Sequence, residues 1–220
     1  MSATPEEIAE YDKKWEQAVE HVFSIIDKDD WKKEKSKEKD VEIYLRHEHP
    51  SPFAQVKSVI TVNAPLSAVE ANLKQPSTTV DENTPKDKRD GAIERRVLQT
   101  VGEGDDAASF IYVVLESGSK LVKPREFLSY SKITHKDGKV ALVRVSVEND
   151  KLHGVGKDYV RSTLYFQAYI AEADGENKTK LTFVGHADPS GSVPAFVYNA
   201  VATGQGYTVV GMKKEIEAAA

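Results

Sequence analysis

Residues 125–148 of the chain read REFLSYSKITHKDGKVALVRVSVE. Two runs rich in β-branched and aromatic residues, 125–134 and 139–148, flank Asp137-Gly138, a dipeptide typical of tight turns between antiparallel strands. From about residue 93 to residue 187 no helical pattern separates the strand-like runs on either side of this hairpin, so the sequence predicts an antiparallel meander there. The other predicted strands cover about 41–45, 54–62, 93–101, 107–116, 158–171 and 179–187.

Helical patterns lie on both sides of the predicted sheet. Thr4-Pro5-Glu6-Glu7 has the features of a capped helix start, and the apolar residues that follow at steps of three and four predict a helix over about residues 5–27. A short helix is predicted after Pro65, because Leu, Val and Leu residues follow on one face. One long helix is predicted to close the chain over about residues 192–217.

These elements predict a single α+β domain over residues 1–220, with its sheet over about residues 40–187. Gly204 and Gly206 indicate a thin or bendable place within the closing helix. The mixed charges of residues 32–39, KKEKSKEK, are typical of a solvated connector.

The composition limits the classes of function. Lys and Arg number 30 against 35 Asp and Glu, and a net charge of −5 argues against a nucleic-acid partner. Cysteine is absent, which excludes disulfides, thiol nucleophiles and thiolate metal sites. The first residues have no apolar core of a secretory signal, and no window is apolar for long enough to span a membrane, so we expect a cytoplasmic protein.

A hollow is expected inside this layout. A curved antiparallel sheet of this length has to cover its concave face, and one long amphipathic helix can lie across that face without filling it. Residues 160–169 alternate polar and apolar side chains, so the polar ones lie either in water or in a ligand cavity. Glu116 and Arg144 also lie in predicted strands, and either face this cavity or point outward at strand edges.

Three segments resemble signatures of one family. Val122-Lys123-Pro124-Arg125-Glu126-Phe127 is similar to V-x-P-R-D-F, and Gly156-Lys157-Asp158-Tyr159-Val160-Arg161-Ser162 is similar to G-Y-V-R-A. Asp188-Pro189-Ser190-Gly191-Ser192-Val193-Pro194, with Asn199 after it, is similar to D-P-G-G-x-I-P-x-x-x-x-N. In this order, and over about residues 10–217, the chain resembles the START domains, lipid-transfer domains related to steroidogenic acute regulatory protein.

The resemblance implies the helix-grip fold, in which a curved antiparallel sheet wraps around a long C-terminal helix and an internal hydrophobic cavity holds one lipid. It also implies a gate, formed by the helix and the loop at Gly118–Lys123, that opens at a membrane surface. Enclosure has a simple physical reason: at about 0.8 kcal/mol per exposed CH₂, a chain of about fifteen methylenes costs about 12 kcal/mol in water. The candidate gate residues are Gly118, Leu121 and Val122.

Two departures from the family pattern bear on the ligand. Sterol-binding relatives often have a buried acid and an arginine that form an ion pair in the cavity, and counting from Pro124 these positions hold Tyr112 and Ser131. Neutral hydroxyls suit a ligand bound by hydrogen bonds, which favours a phospholipid or a ceramide-like lipid over a sterol. The Trp-Asp pair that the family has before the strand at 93–101 is replaced by Lys88-Arg89-Asp90.

Two groups of residues are candidates for the cavity wall. On the closing helix, steps of three, four and seven return to one face, and core packing alone would give the same pattern. On the strands, Arg161 either orients a lipid phosphate or forms a structural ion pair. The candidate cavity residues are Tyr112, Val114, Ser129, Ser131, Arg161, Phe196, Asn199, Ala200, Thr203 and Tyr207.

Signatures of catalysis and metal binding are weak. Gly102-Glu103-Gly104-Asp105-Asp106-Ala107 has the spacing of a dinucleotide-binding loop, but a strand follows it and two acids would repel a pyrophosphate. His47-Glu48-His49 would place two imidazoles on one face of a strand, yet the sequence specifies no third zinc ligand. No G-x-S-x-G motif occurs. We therefore expect no catalytic residues, no metal and no cofactor.

The sequence predicts a non-enzymatic carrier or sensor that extracts one lipid monomer from a membrane, shields it and releases it elsewhere. Its expected partners are a lipid ligand and a transient membrane surface, with no nucleic acid, and the chain is expected to be a monomer. An enzyme on the same scaffold, such as a cyclase or hydrolase of a hydrophobic substrate, is the alternative because fold does not fix function. A third interpretation, a scaffold for protein contacts, predicts a cavity filled by the protein's own side chains.

Overall fold

The computed structural model describes residues 2–86, 89, 91–116 and 122–220. Four α-helices occur in this part of the chain: α1 (Pro5–Ile25), α2 (Leu66–Leu73), α3 (Ala195–Ala202) and α4 (Thr208–Ala219). The strands are β1 (Lys32–Glu34), β2 (Val41–Arg46), β3 (Gln55–Val62), β4 (Ala92–Val101), β5 (Ala108–Leu115), β6 (Arg125–Lys136), β7 (Lys139–Ser146), β8 (Val160–Arg161), β9 (Thr163–Ala173) and β10 (Thr179–Asp188).

The strands form one curved antiparallel sheet in the order β1-β2-β3-β10-β9-β7-β6-β5-β4. From β4 to β10 each strand of this path pairs with the next along the chain, which confirms the predicted meander. The predicted strand 158–171 is two strands in the structure. Val160 and Arg161 form β8, which pairs in parallel with β6 and lies outside the main strand order, and β9 begins after it. The hairpin of β6 and β7 turns at Asp137 and Gly138, which both have positive φ, 52° and 72°.

One face of the sheet packs against α1, and we call it the α1 face. The helix starts at a capping box in which Thr4 Oγ1 accepts from the Glu7 N–H and the Glu7 carboxylate accepts from the Thr4 N–H. Trp15 lies on its buried side and donates from Nε1 to the Val143 carbonyl at 3.0 Å. The strand residues of this face include Phe110, Leu128, Tyr130, Val143 and Phe166, all buried.

The opposite face, which we call the grip face, packs against α2 and the C-terminal helical segments. A second core cluster lies there and includes Ile43, Ile60, Leu181 and Phe183 together with Val209 of α4. The predicted α+β helix-grip fold is confirmed by this arrangement. Among the described residues, no helix is both long and apolar enough to cross a membrane.

Two predicted elements differ from the structure. The closing helix is three segments rather than one: α3, a 3₁₀ turn over Thr203–Tyr207, and α4. The change of helix type falls where Gly204 and Gly206 lower helix propensity, as their positions predicted. At the other end, Lys32–Glu34 is not a pure connector but an exposed edge strand that pairs with β2.

Candidate functional site

A row of polar side chains crosses four strands of the grip face. Ser109 of β5 pairs with Ser131 of β6, Ser131 pairs with Arg144 of β7, and Arg144 pairs with Gln167 of β9. Directly paired residues of neighbouring strands point to the same side of a sheet, so these four side chains form one line across it. Leu142 is two residues before Arg144 on the same strand, so both side chains point to the same side of the sheet. Because Leu142 packs in the grip-face cluster, the row lies on the grip face.

The two faces of β5, β6 and β7 differ in how completely they are covered. On the α1 face, Phe110, Leu128 and Val143 are 0% exposed. On the grip face, accessible surface remains on most side chains of the same strands, although several of them are apolar. These half-buried grip-face residues are Ser109, Val113, Leu115, Phe127, Ile133, Leu142 and Arg144. Apolar side chains that keep accessible surface inside a domain are the lining expected of a ligand cavity.

The C-terminal segments cover the other half of the grip face. The 3₁₀ turn and α4 contact β2, β3 and β10, while α2 contacts β7 and β9. Gly206 allows the turn to approach β3 closely, since a Cβ at this position would lie 3.1 Å from the Ser58 Cβ. The grip face of β4 to β6 therefore lies beside the helical cover rather than under it.

The C-terminal segments turn a different face to the sheet than the sequence predicts. Phe196 is 76% exposed and Ala200 is also exposed, whereas Tyr198 and Ala202 are buried. The prediction of Phe196 and Ala200 as cavity residues is therefore corrected. Residues 195–202, AFVYNAVA, are apolar almost all round, so their spacing does not decide which side is buried.

Of three further predicted residues in this segment, Asn199 and Tyr207 form hydrogen bonds with the rest of the domain. Asn199 holds α3 to the chain before β3, because its Oδ1 accepts from the Ala54 N–H at 2.8 Å and its Nδ2 donates to the Pro52 carbonyl at 3.1 Å. Tyr207 is half-buried and accepts at its hydroxyl from the Lys37 N–H at 2.8 Å. Thr203 is half-buried at the start of the 3₁₀ turn.

Tyr112 and Val114 lie on the α1 face, which corrects their prediction as cavity residues. Both alternate with Ile111 and Val113, and Tyr112 pairs directly with Leu128 of the α1-face core. The sequence position was counted back from Pro124 across a loop, and in a strand an error of one residue reverses the face. Ser129 and Ser131, counted forward along a continuous strand, do lie on the grip face.

Arg161 is engaged in a buried ion pair on the α1 face. Its Nε lies 3.1 Å from Oε1 of Glu126, which is 0% exposed, and a terminal nitrogen donates to the His153 carbonyl at 3.1 Å. The Glu126 carboxylate also accepts from the Tyr112 hydroxyl at 2.7 Å and from the Gly156 N–H at 3.2 Å. Burial, with this carboxylate beside it, raises the pKa of Tyr112. Of the two roles considered for Arg161, these contacts fit a structural ion pair rather than the orientation of a lipid phosphate.

Arg144, left open between two orientations by the sequence, points to the grip face. Its guanidinium donates to Ser131 Oγ at 3.3 Å, Gln167 Oε1 at 3.4 Å and Ser77 Oγ at 3.3 Å. Burial lowers its pKa, because protein surrounds the side chain. Gln167 is one of the polar residues of 160–169 that the sequence left open between water and a cavity, and the pairing of β7 with β9 brings it beside Arg144. Ser77 was not singled out from the sequence, and it reaches Arg144 from the segment after α2.

The predicted gate is described only in part. Gly118 and Leu121 lie outside the described residues, as do Lys88 and Asp90 of the segment that replaces the Trp-Asp pair. Val122 is 37% exposed. Arg125 holds the loop that leads into α3, since it donates to the Pro189 carbonyl at 3.1 Å.

Other titratable clusters of the described residues are held by ion pairs. Glu70, Asp105 and His135 lie close enough to share a metal ion, but the Lys74 ammonium lies between the two carboxylates, 2.7 Å from each. This ammonium lowers the pKa of both acids.

A groove of about 550 Å³ opens between α1 and residues 48–52, where His186 contacts the Ser51 hydroxyl at 3.0 Å.

A curved antiparallel sheet that grips its own C-terminal helical segment defines the class of helix-grip domains. The START domain family model matches residues 25–214, which is most of the chain. The chain therefore belongs to the START domain family.

Solved structures share the fold at low sequence identity. Human StAR-related lipid transfer protein 5 is 17% identical, with a TM-score of 0.76 over 94% of this chain and 96% of that one. Human STARD10 is 15% identical, with a TM-score of 0.69 over 91% and 78%. The lipid transfer and protein localization domain of human StarD13 (DLC2) is 18% identical, with a TM-score of 0.66 over 98% of each chain. A comparison with curated protein sequences finds no matching relative.

Proposed function

We propose that this protein is a non-enzymatic lipid carrier, which holds one lipid monomer between the grip face of β4 to β7 and the C-terminal segments and exchanges it at membranes. The observation that carries the proposal is the difference between the two faces of β5 to β7. The α1 face is packed as a protein core, while the grip face keeps accessible apolar surface beside a polar row. A lipid tail would cover that surface, and the polar row would meet the headgroup.

Membership of the START domain family supports the same proposal, and so do the names of the structural neighbours, which include lipid transfer proteins. We place the protein in the cytoplasm as a monomer that meets membranes transiently. The gate would be α3 with the loop that contains Gly118, Leu121 and Val122. On α3, Phe196 and Val201 are exposed by 76% and 67%, an apolar surface of the kind that contacts membranes.

A phospholipid or a ceramide-like lipid is favoured over a sterol. Ser131 and Ser129 present hydroxyls on the grip face, and these groups suit a ligand with several hydrogen-bonding atoms. An enzyme would need a general acid or base on this face. Within the polar row the cation is Arg144, whose guanidinium suits binding rather than proton transfer.

Native mass spectrometry tests the proposal. The purified chain is incubated with vesicles of mixed lipid extract, re-isolated by size exclusion and examined for bound lipid. A single lipid class at about one molecule per chain is expected, because a cavity of this kind encloses one monomer. Failure to retain lipid under every condition would contradict the carrier, and conversion of the extracted lipid to a product would favour the enzyme.

A further inference from the structure

Arg144 is a cation held inside the domain by neutral groups alone. Its three acceptors, Ser131 Oγ, Gln167 Oε1 and Ser77 Oγ, carry no formal charge and lie 3.3 to 3.4 Å away, beyond the usual range for such hydrogen bonds. Within the described part of the chain, no carboxylate forms an ion pair with it. A charge that is partly withdrawn from water and has no counter-ion is costly.

The other inward-facing arginines mark the contrast. Arg46 is 6% exposed and has Asp30 at 2.7 Å and Glu48 at 3.1 Å. Arg161 has the buried carboxylate of Glu126 at 3.1 Å. Both positive charges are balanced by acids of the chain itself. Arg144 has no such acid among the described residues.

A second guanidinium, that of Arg95, belongs to the same face. Arg95 pairs with Val113 across β4 and β5, which puts it on the grip face with Arg144. The two charges are close enough for Arg95 to lower the pKa of Arg144 further. Among the described residues it is Arg144, with no acid paired to it, that would attract an anion on this face.

The neighbours of Arg144 fit a phosphate better than a carboxylate. A guanidinium binds phosphate oxygens through two parallel hydrogen bonds. The hydroxyls of Ser131 and Ser77 and the amide of Gln167 each have a donor of their own. Together they can serve the further oxygens of a phosphodiester, while a carboxylate has only two oxygens.

We propose that Arg144 binds the phosphate of a phospholipid headgroup, with Ser131, Gln167 and Ser77 as its hydrogen-bonding neighbours. The inference rests on the proposed lipid site and narrows it: the ligand carries a phosphodiester, which excludes ceramide, diacylglycerol and sterol as preferred ligands. Arg144 is thus the residue that decides headgroup class, while the apolar grip-face residues bind the tails without regard to the headgroup.

A competition experiment compares a phospholipid with lipids that lack a phosphate, of which diacylglycerol differs from phosphatidylcholine only in the headgroup. The wild-type chain is incubated with equal amounts of phosphatidylcholine, diacylglycerol, ceramide and fatty acid with matched oleoyl chains, and native mass spectrometry counts each bound species. We expect phosphatidylcholine to be retained over diacylglycerol by about 10- to 100-fold, the ratio that corresponds to a hydrogen-bonded charge. Inorganic phosphate in excess should not displace it, because the tails supply most of the binding.

Variants assign that preference to one side chain. Arg144→Gln should lose the preference for phosphatidylcholine but keep binding diacylglycerol, and Arg144→Lys should keep part of it. Arg96→Gln is the matched control, because this arginine is exposed and pairs with Tyr112 on the α1 face. Far-UV circular dichroism and thermal unfolding establish that each variant is folded. If Arg144→Gln does not fold, the wild-type competition still decides the proposal.

The outcomes separate this inference from the proposed function. Equal or better retention of diacylglycerol, ceramide or fatty acid by the wild-type chain would overturn the phosphate site and leave the lipid carrier standing. Unchanged selectivity in a folded Arg144→Gln would do the same. Binding of inorganic phosphate that depends on Arg144, without retention of any lipid, would overturn both.

Discussion

Glu126 carries its charge in a fully buried position, and Arg161 is the cation that balances it. Replacement of one partner leaves the other buried without a counter-charge, which costs more than the pair itself contributes. We expect Arg161→Met to lower the free energy of unfolding by about 3 kcal/mol in urea titrations. Lys33→Met, which removes an exposed ion pair with Glu42, should change it by less than about 0.5 kcal/mol. Equal effects of the two changes would contradict the structural role of Arg161.

His186 links stability to pH. Burial lowers its pKa below the ordinary 6.5, against smaller opposing effects that include the charges of Glu48 and Asp188. The unfolded chain then takes up the proton first, so this contribution is complete above pH 6.5 and is lost as the pH falls toward the lower folded-state pKa. In urea titrations from pH 7.5 to 5, His186→Asn should lose less stability on acidification than the wild type. Parallel curves for the two proteins would contradict this assignment.

At the scale of elements, the 3₁₀ turn depends on one glycine and not on its neighbour. A Cβ on Gly206 would lie 3.1 Å from the Ser58 Cβ and 3.5 Å from the Ile43 Cδ1, while a Cβ on Gly204 meets nothing within 4 Å. We expect Gly206→Ala to destabilise the protein by about 1–3 kcal/mol through overpacking against β3. Gly204→Ala should be neutral or stabilise by up to about 1 kcal/mol. Thermal unfolding of both variants distinguishes this from a general need for flexibility, which predicts similar losses.

The same elements indicate what the sequence could predict. The strands and the start of α1 follow from local patterns, namely period-two alternation, the Asp137-Gly138 turn and the capping box. The side that a residue faces depends on register: Ser131, counted along one strand, lies on the grip face, whereas Tyr112, counted across a loop, lies on the α1 face. The grouping of Arg144 with Gln167 needed the pairing of β7 with β9, which no local pattern encodes.

Across the whole molecule, the two sides of the sheet differ in what packs against them. The α1 side joins Trp15, Phe110 and Tyr130 in a continuous, closely packed core. On the C-terminal side, α3 is held to the chain before β3 by the two hydrogen bonds of Asn199, and much of its surface is exposed. We therefore expect local opening at α3, because segments with few buried contacts open at the lowest free energy.

The exposed apolar side of α3 leads to a prediction about the rate of lipid transfer between membranes. Phe196 and Val201 have no packing role to lose, so Phe196→Ser with Val201→Ser should leave the unfolding temperature and the lipid retained in solution nearly unchanged. Transfer of a fluorescent phospholipid between donor and acceptor vesicles should slow by about tenfold, because both side chains lose favourable burial at the membrane. Val155→Ser, which alters a valine that is 56% exposed outside α3, is the control and should transfer normally. Unchanged transfer by the α3 variant would remove α3 from the membrane contact, and loss of bound lipid in solution would instead make these side chains part of the cavity.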